Sequence, residues 1–262
     1  MKKYLVIGNP IEHSLSPKLH NFWIKNNNVN ATYDKKKVEK DELKKIISKI
    51  KQKEVNGINI TVPFKKEIIP YLDQLSIEAE KTQSVNTIYI EKEKIIGHNT
   101  DIEGFQNSIQ NSGINLTNKE ILILGAGGVV PSLIYALKKM NVSKIILSNR
   151  TKHKAESLKN FFDGLTIIDW GKITQFDMII NATSIGLNKN DKIDLNFSNL
   201  GKNKYFYDVI YNPSETNFLT MGKKLGGKIQ NGKMMFIYQA SAAFKIWHKI
   251  TPKINNDLIN YL

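Results

Sequence analysis

The feature that most limits what this 262-residue chain can fold into is a strand, Glu120 to Leu124, that runs into Gly125-Ala126-Gly127-Gly128. Glycines between a strand and a helix let backbone N–H groups approach a pyrophosphate, which then sits at the positive end of the helix. A second strand, Ile145 to Ser148, ends at Asn149-Arg150-Thr151, where a fold of this kind reads the adenosine ribose. NAD sites usually place a carboxylate there for the 2′-hydroxyl, and NADP sites a cation for the 2′-phosphate. None of the three residues is acidic, and Lys152 and Lys154 follow. Arg150 is the single arginine among 38 Lys plus Arg residues. A guanidinium forks onto phosphate in a way lysine does not. The cofactor expected is NADP, against the alternative that Arg150 merely forms a surface ion pair. The turn departs from the usual pattern at Val130, which stands where a third small residue is customary, and at Pro131, whose missing N–H the first helical turn tolerates.

The length suits two domains of ordinary size better than one large one. An apolar content of 41% and a charged content of 24% describe a globular protein able to bury a core. The absence of cysteine excludes disulfides, thiolate zinc sites and cysteine nucleophiles. The five histidines show no metal-ligand spacing, so no metal is expected. No apolar run is long enough for a membrane helix or a secretory signal, and the expected location is cytoplasmic. A formal charge of +14 is spread along the chain as lysine without an arginine-rich patch, which argues against nucleic acid as a partner.

From Met1 to about His98, strands alternate with helices: Tyr4–Ile7, a helix from Pro17, Thr32–Val38, a lysine-rich helix from Asp41, then Gly57–Val62. Ser16-Pro17 reads as a helix start with Ser16 as N-cap. Thr87–Glu91 and Lys94–Gly97 read as a hairpin. Six strands follow from Glu120 to Gln230 with helices between most of them, the doubly wound pattern. The expected fold is α/β: an N-terminal α/β domain over residues 1–101, a Rossmann-type parallel sheet over 102–235, and C-terminal helices over 236–262 that pack back on the first domain, with a ligand cleft between the domains.

Two residues stand where chemistry is plausible. In Asn59-Ile60-Thr61-Val62-Pro63-Phe64-Lys65, one strand face is polar and Pro63 redirects the chain, placing Lys65 in the first turn of a following helix. The positive helix end and another cation would lower its pKa, so that it could exchange protons. Asp101 follows a strand at the inferred domain junction, where it also reads as the N-cap of the next helix.

These segments carry a resemblance to the shikimate dehydrogenase family. Ser14-Leu15-Ser16-Pro17 matches its S-x-S-P motif, Asn59 to Lys65 its N-x-T-x-P-x-K motif and Asn99-Thr100-Asp101 its N-T-D motif. Asn181 to Gly186, Asp208 to Pro213, and Gly232 with Met235, Gln239 and Ala240 continue the match in order. The resemblance implies Lys65 and Asp101 as the catalytic pair and Ser14, Ser16, Asn59, Thr61, Asn86, Tyr211 and Gln239 as substrate-binding residues. It implies a cofactor site made of Gly125, Ala126, Gly127, Gly128, Val129, Asn149, Arg150, Thr151, Lys154, Thr183, Ile210, Gly232 and Met235. It further implies NADPH-dependent reduction of 3-dehydroshikimate to shikimate, in the route to chorismate and the aromatic amino acids, by a monomer or homodimer. The alternatives are a broader quinate/shikimate dehydrogenase, which Arg150 argues against where such relatives accept NAD, and a silent NADP sensor, which the presence of both Lys65 and Asp101 argues against.

Overall fold

The computed structural model describes residues 1–188, 190–193, 195–197 and 203–262. The chain divides into two compact units, Met1–Gly104 with Ile237–Leu262 and Phe105–Phe236.

In chain order the first unit runs β1 (Lys2–Gly8), α1 (Ser16–Asn26), β2 (Ala31–Lys37), α2 (Leu43–Lys51), β3 (Gly57–Ile60), β4 (Gln74–Leu75), α3 (Ile77–Thr82), β5 (Thr87–Glu91) and β6 (Lys94–His98). Its mixed sheet has the order β2-β1-β3-β5-β6-β4. β1 pairs in parallel with both β2 and β3, whereas β3, β5 and β6 pair antiparallel, Asn59 facing Thr87 and Thr87 facing His98. The expected hairpin is present as β5 and β6.

Apolar patterning explains which faces are covered. α2 buries Leu43, Ile46, Ile47 and Ile50, one stripe of a helix, against Ile7, Ile58, Ile60 and Ile88 of the sheet. β2 lies at the sheet edge and exposes Lys35, Lys36 and Lys37, the kind of charged edge that discourages pairing with another chain. The C-terminal residues belong to this unit because Trp247 seals it. Its indole lies over Gly57, where a Cβ would collide with the ring, and its N–H donates to the Ile88 carbonyl at 3.0 Å.

The helix α4 (Asp101–Asn111) leads to the second unit, with β7 (Glu120–Leu124), α5 (Val130–Lys139), β8 (Lys144–Ser148), α6 (Lys152–Glu156), β9 (Leu165–Ile168), β10 (Met178–Asn181), β11 (Tyr205–Asp208), α7 (Asn217–Lys224) and β12 (Lys228–Gln230). The helices α8 (Lys233–His248) and α9 (Asn256–Tyr261) end the chain. The second sheet is wholly parallel in the order β12-β11-β10-β7-β8-β9. Read from β9, this is the 3-2-1-4-5-6 order of the doubly wound dinucleotide fold. β7, β10 and β11 are near-continuous apolar runs whose residues are buried on both faces, as central strands of a parallel sheet require. The order reverses between β7 and β10, and a ligand crevice forms at the carboxyl ends of strands at such a switch point.

Candidate functional site

Lys65 and Asp101 meet. The lysine Nζ donates to Asp101 Oδ2 at 2.6 Å, with side-chain exposures of 13% and 8%. The path by which Lys65 arrives differs from the expectation. Residues 62–68 form turns, and the only regular helix between β3 and β4 is the single 3₁₀ turn Ile69–Tyr71, so no helix dipole acts on Lys65. Its position is held instead through the backbone, where the Val85 N–H donates to the Lys65 carbonyl at 2.8 Å. Asp101 is the first residue of α4 and not its N-cap, and its own N–H donates to Asn99 Oδ1 at 3.2 Å. The carboxylate is therefore left for side chains.

Asn86 supplies the second contact to that carboxylate, its Nδ2 donating to Asp101 Oδ1 at 2.9 Å and to Gln239 Oε1 at 3.3 Å. Its Oδ1 accepts from the Thr100 N–H at 2.8 Å and the Thr87 hydroxyl at 3.0 Å. Asn59 is buried behind it, donating from Nδ2 to the Asn86 carbonyl and to Thr87 Oγ1, both at 3.0 Å, and accepting from the Tyr33 hydroxyl at 2.7 Å. Such a network is satisfied from within, so its members are held before any ligand arrives.

Ser16 is the first residue of α1 and makes no cap; Leu15 occupies that position without a side-chain cap bond. The proline comes second, and the Ser14 hydroxyl accepts from the Ser16 N–H at 3.3 Å. Ser14 thus performs the local turn bonding expected of Ser16, and Ser16 points into the buried side of the helix. Thr61 directly follows β3, its N–H bonded to the Ile7 carbonyl at 2.9 Å and the residue half-buried. Lys65, Asp101, Asn86, Gln239 and Asn59 form one connected cluster. Tyr211 belongs to the second unit, where its ring stacks on Phe236 at 4.8 Å and burial pushes its phenol up to about 12.

In the second unit the glycine turn has the backbone its chemistry requires. Gly125 has φ +113, and a Cβ there would lie 2.8 Å from the Ala182 carbonyl oxygen at the end of β10. Only glycine meets both conditions. A Cβ at Gly128 would meet open space. Val130 is the first residue of α5 and fully buried, with Pro131 behind it in the first turn. Arg150 and Lys154 are exposed beyond the end of β8, and Asn149 Nδ2 donates to the Thr151 carbonyl at 2.8 Å. Lys152 is paired with Asp169 at 2.8 Å, but among the described residues no carboxylate pairs with Arg150. These features fit a phosphorylated dinucleotide.

Sequence reasoning gave no role to Asp208, which is fully buried at the end of β11. It accepts from the Thr216 hydroxyl at 2.6 Å, the Ile210 N–H at 3.0 Å and Asn181 Nδ2 at 3.1 Å. Burial pushes its carboxyl pKa up against those donors. Asn181 in turn accepts from the Thr183 N–H at 3.1 Å and hydroxyl at 2.7 Å. Asp208 therefore shapes the loops that carry Thr183 and Ile210; an acidic residue closing the apolar run Tyr205-Phe206-Tyr207 was the available signal. Gly232 belongs here too, since a Cβ would strike the Val209 carbonyl, and Met235 is buried beyond it.

A mixed α/β unit bearing a buried Lys–Asp pair, together with a unit of dinucleotide-binding topology, defines a dinucleotide-dependent dehydrogenase. Residues 6–88 match the shikimate dehydrogenase substrate-binding domain, and residues 107–195 the shikimate/quinate 5-dehydrogenase family. Over its whole length the chain is 59% identical, across 261 residues, to a shikimate dehydrogenase (NADP+) of Pelagibacter ubique, covering 98% of it. The structure matches shikimate dehydrogenase from Aquifex aeolicus with TM-score 0.89 at 37% identity, covering 99% of this chain and 96% of that one. It matches the enzyme of Thermus thermophilus, solved with NADP(H) and shikimate, with TM-score 0.91 at 28% identity over the whole of both chains. The chain belongs to the shikimate dehydrogenase family.

Proposed function

We propose that this protein catalyses the reversible, NADPH-dependent reduction of 3-dehydroshikimate to shikimate, in the biosynthesis of chorismate and the aromatic amino acids. The observation that carries the reading is the 2.6 Å bond between Lys65 and Asp101 in a chain that also has the glycine turn. NADP, when bound, supplies the hydride chemistry. The rest falls to the protein's own groups. Reduction places negative charge on the C3 oxygen, and the Lys65 ammonium stabilises that charge and donates the proton. Asp101 orients Lys65 and accepts from the neighbouring substrate hydroxyl. Ser14, Ser16, Thr61, Asn86, Gln239 and Tyr211 offer the hydroxyl, amide and phenol groups that a small ring with a carboxylate and three hydroxyls requires.

On the cofactor side Gly125, Ala126, Gly127, Gly128 and Val129 hold the pyrophosphate at the α5 N-terminus. Asn149, Arg150, Thr151 and Lys154 receive the ribose 2′-phosphate, and Thr183, Ile210, Gly232 and Met235 border the nicotinamide end. No helix among the described residues is long and apolar enough to cross a membrane. Action in the cytoplasm as a monomer or homodimer, without nucleic acid, belongs to the same proposal. The test is the rise in reduced-nicotinamide absorbance on mixing the protein with NADP and shikimate, with quinate and NAD as parallel controls. Turnover with shikimate and NADP is expected, and its absence removes the proposal.

A further inference from the structure

Behind the proposed catalytic groups, the first unit holds an aromatic layer that the reaction does not touch. The His20 and Tyr33 rings stack face to face, centroids 4.1 Å apart and planes 1° from parallel. Trp23, Phe244 and Trp247 enclose His20 from the other directions. Neither ring nitrogen of His20 has a hydrogen-bond partner among the described residues. Burial, with a smaller contribution from His248, pushes its pKa down to about 3, so the imidazole is neutral at pH 7 and serves as a flat plate. The next residue grips the same tyrosine by its backbone, Asn21 Nδ2 donating to the Tyr33 carbonyl at 2.7 Å and Oδ1 accepting from its N–H at 3.0 Å. Two consecutive residues of α1 thus fix one residue of β2.

From Tyr33 a row of hydrogen bonds runs in one direction. Its hydroxyl donates to Asn59 Oδ1 at 2.7 Å, which leaves Asn59 Nδ2 to donate to Thr87 Oγ1 at 3.0 Å. The Thr87 hydroxyl, having accepted, donates to Asn86 Oδ1 at 3.0 Å. Asn86 Oδ1 also accepts from the Thr100 N–H at 2.8 Å, and with both donors on that oxygen Asn86 presents Nδ2 to Asp101, whose other oxygen holds Lys65. A reversed Asn86 amide would set a carbonyl oxygen against the carboxylate. All the linking side chains are buried, where an unmatched polar group is costly.

We infer that Tyr33, clamped by His20 and Asn21, is a positioning residue for the reaction: through Asn59 and Thr87 it joins the Thr100 N–H in holding the Asn86 amide and so keeps Asp101 in place for Lys65. The inference rests on the proposed catalytic role of Lys65 and Asp101. Asn59 then works from behind the substrate-facing groups and not on the substrate itself.

The experiment is steady-state shikimate oxidation by the intact enzyme carrying Tyr33→Phe, Asp101→Asn or both, with Thr87→Val as a second break in the row should Tyr33→Phe fail to fold. Tyr33→Phe keeps the stacked ring and removes only the first donor. A roughly tenfold fall in kcat is expected, the scale of one withdrawn buried partner, with KM for NADP unchanged. In the Asp101→Asn background the same change is expected to cost nothing further, because the row no longer ends on a carboxylate. Wild-type kcat in Tyr33→Phe or Thr87→Val overturns the inference. So does an equal loss with and without Asp101, or a change confined to KM for shikimate, which would make Asn59 a direct substrate contact. Near-normal turnover by Lys65→Ala would instead remove the catalytic assignment itself, which keeps the two failures apart.

Discussion

In the first unit Asn59, Asn86, Thr87, Thr100 and Asp101 are buried and bonded to one another, whereas in the second Arg150 and Lys154 stand exposed and the glycine turn works through its backbone. The difference matches what the proposed function asks of each side. A proton moved to one oxygen requires a lysine fixed to within a fraction of an ångström, and fixation comes from neighbours that leave little water. A 2′-phosphate carries charge that an exposed guanidinium can follow, so rigidity there gains little. On the proposed function, preorganisation is concentrated where bonds change, and adaptability where charge is recognised.

The contrast predicts that damage to the buried side falls on rate. Lys65→Ala is expected to lower kcat by at least ~10² while leaving NADP affinity near wild type and the chain folded, read by kinetics, fluorescence titration and thermal unfolding. A loss confined to cofactor affinity would break the comparison.

Damage to the exposed side falls on affinity. Arg150→Ala is expected to weaken NADP by roughly 10- to 150-fold, the equivalent of about 1.5 to 3 kcal/mol for a charge-assisted contact, with NAD almost unaffected. Equal losses for the two cofactors would show that Arg150 does not read the 2′-phosphate.

A third expectation concerns the layer beneath the buried row and is read on stability alone. His20 has a folded-state pKa of about 3 against the usual 6.5, so the unfolded chain takes up a proton that the folded chain refuses. Stability is full above pH 6.5 and falls as the pH drops from there toward 3, by up to about 1.4 kcal/mol per pH unit for this group. Urea unfolding of wild type and His20→Phe at a series of pH values from neutral down to about 4 reads this directly. The variant is expected to have the shallower dependence, and identical slopes would show that His20 does not carry it.

Local signals in the sequence were legible where local physics decides. The unbroken runs Ile121-Leu122-Ile123-Leu124 and Met178-Ile179-Ile180 mark strands covered on both faces, and Gly125 marks a turn that no other residue fits. What failed were assignments in which neighbours from elsewhere in the chain decide. Ser16 and Asp101 both read as caps, yet each is the first residue of its helix, because the preceding turn is closed by Ser14 in one case and Asn99 in the other. Lys65 was expected on a helix, but residues 62–68 form turns. Tyr33 and Thr87 carried no motif, since their importance comes from β2, β3 and β5 lying close together in a sheet whose order is not sequential.

The seal that Trp247 makes over Gly57 also bears on the order of events at the ribosome. Residues 105–236 form the second unit from one uninterrupted stretch, so it can mature as soon as that stretch has emerged. The first unit is begun earlier but waits for residues 237–262, and until they arrive the notch at Gly57 and the aromatic layer around His20 lack their covers. The unit whose chain is made first of the two is thus the one completed second.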